Sequence, residues 1–272
     1  MAKNLQKSGV RSALLTLDVL EEVAFSGEEL GVTDIATRVG ATKGSVYRHL
    51  STLVNRGYLT QNLATTRYGI GAKSRLLAGF APAIDLGRIS EEAMRELRDK
   101  LGHTVVLSLM MPRGALVVST ITSKSSIEIG VRPGSELSFH ASAQGKVMLA
   151  YAPEAVRQRI INGPLQAFTA KTLCNPATLE SELKQIVKRG YASAPEQVLL
   201  GINSIAAPVF DDTNACVAAI ALVGSIQFLH SKYEKTAFVA LRNCAAKVSQ
   251  KIGHGRSSHA FNTTRQTSSR KI

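Results

Sequence analysis

The sequence predicts an α+β fold in two parts: a small helical unit closed by a two-stranded ribbon, then a larger domain built on an antiparallel sheet. Three observations predict it. Residues 31–71 show helix periodicity twice and then a short hairpin pattern. Strand-like runs joined by Pro/Gly turns begin only after residue 103. Helical patterns gather between two groups of those runs, as in α+β rather than Rossmann-type chains. With 272 residues, 44% hydrophobic and 19% charged, the chain has the length and composition for two folded cores.

Residues 1–8 read as a flexible arm. Over residues 10–25, Val10, Leu14, Leu17, Leu20 and Val23 make one helical stripe. In the next segment Val32, Ile35, Ala36 and Val39 repeat at i, i+3, i+4 and i+7, and Gly40 supplies the stop. A third helix buries Val46, Leu50, Leu53 and Val54, with Thr42 as its N-cap. Residues 58–60 and 65–70 read as a hairpin. Together they predict a winged helix-turn-helix over residues 1–71. A linker helix is expected over residues 72–88, with Leu76, Leu77, Phe80 and Ile84 apolar and a break near Pro82.

The second domain, residues 89–252, opens on a helix carrying Ile89, Ala93, Leu97 and Leu101. Strands are expected at 104–111, 115–122 and 127–131, then helices at 143–151, 153–161 and 178–189. Strands return at 191–194, 204–210 and 215–223, and a helix over 231–252 closes the domain. From residue 253 the chain is rich in Ser and Thr and includes Arg256, Arg265, Arg270 and Lys271 without an acid, which reads as a disordered basic tail.

The third helix carries the first functional signal. Its polar face presents Lys43, Ser45, Tyr47, Arg48 and Ser51. In a helix-turn-helix this element enters the major groove, where Lys43 and Arg48 donate to guanine or phosphate and Ser45 and Tyr47 contact either. Thr42 sits at the helix start, and Arg67 near the ribbon tip is placed for phosphate or the minor groove. Between Ile35 and Ile84 there is no Asp or Glu but there are seven Lys and Arg residues. Carboxylates against a polyanion are repelled, so an acid-free surface of this length points to double-stranded DNA. The net charge of +13 agrees. A membrane is the competing anionic surface, but the chain has neither a basic amphipathic helix nor an apolar run of about 18 residues. The first ten residues lack the apolar core of a signal peptide. Cys174, Cys216 and Cys244 form no C-x-x-C pair or metal cluster, which suits free thiols in a reducing cytoplasm.

No nucleophile, P-loop or zincin motif occurs, so no catalytic residue, metal or cofactor is expected. His140 reads better as a structural histidine than as a ligand. At Ser142-Ala143-Gln144-Gly145 small residues open a helix, where free N–H groups and the helix dipole suit a carboxylate. A plain N-cap with a tightly packed glycine explains the same residues.

Residues 9–82 resemble the DNA-binding part of IclR-type bacterial transcription regulators, through the first helix, the VTDIATRVG helix, ATKGSVYRHLSTLVNRGYL and the wing ending in YGIG. A second block, HASAQGKVMLAYAP and KRGYASAPEQVLLGINSIAAPVFDD, lies at the family's order and spacing. The resemblance implies a GAF-like effector-binding domain, a linker helix contributing to dimer contact, and a ligand-responsive regulator on a palindromic operator, as a homodimer or a dimer of dimers. It implies an effector pocket from Ser126, Ile129, Ala143, Gln144, Ala194, Ser204, Ala221 and Val223. Relatives that bind small oxo-acids carry an acid at the position of Ala194, a cysteine at Ser204 and serines at Ala221 and Val223. The loss of those polar groups favours a larger, flatter catabolic carboxylate, such as an aromatic one. Two alternatives stay open: a second domain that serves assembly without a ligand, and an enzyme with a DNA-binding appendage.

Overall fold

The computed structural model describes residues 10–79, 85–126, 128–229 and 231–255. They fall into two compact units. The first contains α1 (Arg11–Phe25), α2 (Val32–Val39), α3 (Lys43–Asn55), the strands β1 (Leu59–Gln61) and β2 (Tyr68–Ile70), and α4 (Ala72–Gly79). Val19, Val23, Leu30, Ile35, Val46, Leu50, Leu59 and Tyr68 form its core. The stripes expected for α2 and α3 are the faces they bury, but that of α1 is corrected: Val10 and Leu17 are exposed, and Leu15, Val19, Leu20 and Val23 are the residues that meet the core. Gly40 takes φ 66°, a left-handed conformation that costs glycine little, and so turns the chain sharply from α2 into α3. The Thr42 hydroxyl caps α3 by accepting from the Ser45 amide at 3.3 Å. The ribbon is antiparallel, with Leu59 opposite Ile70 and Gln61 opposite Tyr68. Phe80, Pro82 and Ile84 of the expected linker lie outside the described residues.

The second unit begins with α5 (Leu86–Leu101), capped by Asp85. Strands β3 (Thr104–Met110), β4 (Gly114–Ile121) and β5 (Glu136–Ser138) follow. Three helices come next: α6 (Ala143–Tyr151), α7 (Glu154–Ile161) and α8 (Pro176–Arg189). The chain closes with β6 (Ala192–Ser193), β7 (Ile202–Phe210), β8 (Cys216–Ser225) and α9 (Ser231–Lys251). The six strands form one antiparallel sheet in the order β5-β4-β3-β8-β7-β6, as the hairpin signals imply. The chain therefore crosses from one edge of the sheet to the other through α6, α7 and α8.

Each face of the sheet is covered. Val105, Leu107, Ile205, Ile220 and Leu222 pack beneath α5 and α9. Ala206, Ala219 and Ala221 face α6, with Leu179, Leu183 and Ile186 of α8 in the same core. Alanines on that face let α6 approach closely, and two-sided burial explains why β3 and β8 read as nearly continuous apolar runs. Cys216 and Cys244 are buried here, and burial pushes both thiols up to about 12.

One expected strand is corrected. Ile127 lies outside the described residues, and 128–131 form no strand. The carbonyls of Ile129 and Val131 are taken by the hydroxyls of Thr104 and Thr120, which dock this segment on a sheet face rather than on an edge. The edge of β4 pairs instead with β5, Gly114 opposite Ser138. The tail, expected from residue 253, also starts ordered: the His254 ring stacks on Phe210 and its Nδ1 bonds the Asp211 carbonyl. Residues 256–272 lie outside the described residues.

Helix α6 is buried from Ala143 to Ala150. Only glycine fits at 145, because a Cβ there would stand 2.3 Å from the Ser138 carbonyl oxygen and 2.6 Å from the Phe139 Cα. Lys146, one residue on, is fully buried. Its Nζ donates to the Ser193 carbonyl at 2.6 Å and to Gln197 Oε1 at 2.8 Å, tying α6 to the chain around β6. Glu182 Oε1 stands 3.8 Å away but is held at 2.7 Å by Arg189. Burial therefore prevails over Glu182 and lowers the Lys146 ammonium to about 8. The native state releases this proton near pH 8, whereas the unfolded chain holds it to about 10.5, so stability rises with pH inside that window. In urea unfolding between pH 7 and 10.5, the stability of the wild type relative to Lys146→Met is expected to increase by at most about 3 kcal/mol. A pH-independent difference would show that burial does not lower the Lys146 pKa and that the folded chain holds this proton as tightly as the unfolded chain does.

Candidate nucleic-acid interface and effector pocket

The polar face of α3 is open. Thr42, Lys43, Tyr47 and Arg48 are exposed and Ser45 is half-buried. Among the described residues Lys43, Arg48, Arg56, Arg67, Lys73 and Arg75 make no salt bridge with a carboxylate. Arg38 is the exception in the acid-free stretch, since it pairs with Glu22 at 2.9 Å. His49 on α3, which periodicity gives no reason to single out, meets the Thr16 hydroxyl of α1 at 2.8 Å. Because Thr16 donates to the Ser12 carbonyl, His49 Nδ1–H is the donor of this contact, and it fixes the rotation of α3 on α1.

The wing holds an acid that the linear charge pattern hides. Glu29 precedes the acid-free stretch, yet its carboxylate accepts from Asn62 Nδ2 at 3.0 Å and from Thr65 Oγ1 at 3.4 Å. Its carbonyl accepts from Arg67 Nη1 at 2.9 Å. Arg67 is thus exposed but partly committed to bracing the ribbon, which leaves fewer of its donors for a phosphate.

The sequence-derived effector residues divide. Thr104, Val106, Ser204, Ala221 and Val223 share one sheet face through the pairs Thr104↔Val223, Val106↔Ala221 and Ser204↔Val223. Ile129 packs against Val106 and Val223 on this face. Ala143 and Gln144 open α6 in the core against it, and buried Ala194 joins that core after β6. Ser126 alone stands exposed. The Ser142 hydroxyl takes the Gly145 amide at 3.0 Å, while the amides of Ala143 and Gln144 belong to the first turn, which has no intrahelical acceptor. Two buried polar atoms lack a partner among the described residues: Gln144 Nε2 and Ser108 Oγ. Ser108 sits opposite Ala219 and Val117, so it faces the α6 side with Ala221. Sequence reasoning missed it, and the one available signal was a serine breaking the VVLSL run. His140 is occupied: Nε2 donates to the Gln166 carbonyl at 2.9 Å and Nδ1 accepts from Ser138 Oγ at 2.7 Å, with burial lowering its pKa. It is a structural pillar beneath the α6 start.

A cleft of about 420 Å³ opens between α5 and α9, but the charges lining it are already paired, Glu92 with Lys251 and Glu96 with Lys247. Among the described residues no His, Cys, Asp and Glu cluster is placed for a metal ion, and no helix is long and apolar enough to cross a membrane.

Residues 13–63 match the model of the IclR helix-turn-helix domain, and residues 80–250 match that of the bacterial transcriptional regulator IclR C-terminal domain. The glycerol operon regulatory protein of Streptomyces coelicolor is 32% identical over 265 residues, which is 94% of this chain and all of that one. The crystal structure of an IclR transcriptional regulator from Alicyclobacillus acidocaldarius superposes with a TM-score of 0.73 at 23% identity, covering 90% of this chain and all of that one. An IclR homologue from Microbacterium hydrocarbonoxydans, solved in complex with 4-hydroxybenzoate, gives 0.73 at 20% identity over 91% of this chain and all of that one. At those identities the two structures speak to the fold. The domain matches and the full-length relative establish that this chain belongs to the IclR family of DNA-binding bacterial transcription regulators.

Proposed function

We propose that this regulator is controlled by a small carboxylate, with an aromatic acid as the favoured class, held between the α6 start and the sheet face that carries Ala221 and Val223. The observation behind this reading is the buried, unpartnered Gln144 Nε2 beside the first-turn amides of α6. A buried donor without an acceptor costs about 1–3 kcal/mol, and a carboxylate at a helix start answers it and the amides together. Ser108 Oγ offers a second polar contact across the face. Ala194, Ala221, Val223 and Val106 are apolar and suit a ring better than a two- or three-carbon oxo-acid. The relative in complex with 4-hydroxybenzoate supports the same class. We further propose the domain division 1–71, 72–88, 89–252 and 253–272, and action in the cytoplasm as a homodimer or a pair of dimers on a palindromic operator. One recognition helix reads too few base pairs alone, and two-fold symmetry doubles the site.

A thermal-shift screen of the full chain against a metabolite panel tests the pocket. Aromatic carboxylates are expected to raise Tm, and Gln144→Leu to abolish that rise. A panel in which only two- and three-carbon oxo-acids act would refute the aromatic class, and a panel without hits would favour a second domain that serves assembly. For the DNA contacts of Thr42, Lys43, Ser45, Tyr47, Arg48 and Arg67, Arg48 is the decisive probe. Arg48→Ala is expected to weaken operator binding by roughly 1–3 kcal/mol and to relax preference at one base position of each half-site. Unchanged affinity in a gel-shift titration would remove Arg48 from the contact set.

A further inference from the structure

The ribbon tip presents an apolar side chain where a solvated turn would carry a polar one. Leu63 is 93% exposed, the most exposed large hydrophobic residue among those described. The turn that holds it is braced from several sides. Asn62 Oδ1 accepts from the amides of Ala64 at 3.0 Å and Thr65 at 3.3 Å. Gln61 Nε2 donates to the Thr66 carbonyl at 3.1 Å, and the Thr66 amide donates to the Asn62 carbonyl at 2.8 Å. Thr66 is held at φ 57°, a left-handed conformation that a threonine adopts only under constraint. The polar side chains of the turn are thus engaged in hydrogen bonds within the wing, and the leucine is left exposed. Glu29, the acid that the fold brings to the wing, is engaged by Asn62 and Thr65.

A braced apolar tip on a unit whose α3 and ribbon cations lack carboxylate partners among the described residues fits a partner with a charged backbone and an apolar interior. The base stack of a duplex is such a partner. Each ribbon strand has three residues, roughly 10 Å. With α3 in a major groove about 12 Å wide, a ribbon of that length is on the scale of a groove width, and the minor groove is the neighbouring surface it would meet. Leucine is among the side chains that wedge between base steps there. We propose that Leu63 is a DNA-contacting wedge that enters the minor groove beside each half-site and favours sequences whose base steps open easily. The proposal rests on the reading that α3 and the ribbon bind duplex DNA, and extends the recognised sequence beyond the bases under α3.

The test is parallel selection from a random duplex library by the full-length wild type, Leu63→Ala and Leu63→Met. The wild type and Leu63→Met are expected to enrich one core with flexible pyrimidine–purine steps at fixed flanking positions. Leu63→Ala is expected to keep the core, lose the flanking preference and bind the wild-type-selected duplex about tenfold more weakly. Its salt dependence should match the wild type, because no phosphate contact is lost. So exposed a side chain contributes little packing to the fold, and circular dichroism of Leu63→Ala checks that directly. Identical flanks and affinity for wild type and Leu63→Ala would overturn the wedge while leaving the DNA reading intact. A library from which none of the three proteins enriches a sequence would overturn both.

Discussion

Helix α6 lies in the core against the sheet and α8 with Ala143 to Ala150 buried, so each polar group it carries must be matched by protein or by a ligand. Most are matched in ways that fix the surrounding chain. Ser142 takes the Gly145 amide and returns a hydrogen bond to Ser138. Lys146 reaches Ser193 and Gln197 and so sets where the chain passes after β6. Gly145 admits the Ser138–Phe139 backbone so closely that any side chain there would force the crossing from β5 into α6 to shift. Once those are satisfied, the remainder is small and local: the Gln144 amide, the first-turn N–H groups and Ser108 across the sheet face. The proposed pocket is what this accounting leaves over.

In the first unit the governing constraint is charge. The cations of α3 and the ribbon stand without carboxylate partners among the described residues, an arrangement that raises self-repulsion unless a polyanion relieves it. Hydrogen bonds within the unit keep the cationic surface in one shape. His49 on Thr16 sets the rotation of the recognition helix, and Glu29 gathers the ribbon through Asn62, Thr65 and Arg67. Holding the interface rigid before binding lowers the ordering cost at the moment of binding.

How much of this was legible in the sequence follows from the range of each interaction. The α2 and α3 stripes, the Gly40 stop and the Thr42 cap are local, and periodicity and capping chemistry found them, whereas α1 carries apolar residues on more than one side and the spacing picked exposed Val10 and Leu17 over buried Val19. The sheet was legible as strands and hairpins, but residues 127–131 were not, since a β-rich run gives no sign that Thr104 and Thr120, distant in sequence, will take its carbonyls. Glu29 escaped because a linear charge window cannot see a side chain delivered by the fold to residues more than thirty positions away. Lys146 and Ser108 escaped for the opposite reason: a polar residue inside an apolar run looks like an exception until both faces of the element prove covered. Gln144 was named through family resemblance, and its buried, unanswered amide gives that placement a physical reason.

The proposed control of operator binding by an effector would place a further demand on the second unit. A ligand with equal affinity for two states of a protein shifts neither, however tightly it binds. A useful coupling of about 1–3 kcal/mol must therefore come from contacts present in one state and missing in the other. Buried, unmatched polar groups are well suited to supply it. Gln144 Nε2 and Ser108 Oγ are costly when dry and unpartnered, so a ligand bound at the proposed pocket would stabilise this α6–sheet packing specifically. In a state with that packing loosened and wet, water would already satisfy the same groups and the ligand would gain little. By linkage, an operator that favours the loosened state must weaken the effector by the same factor that the effector weakens the operator.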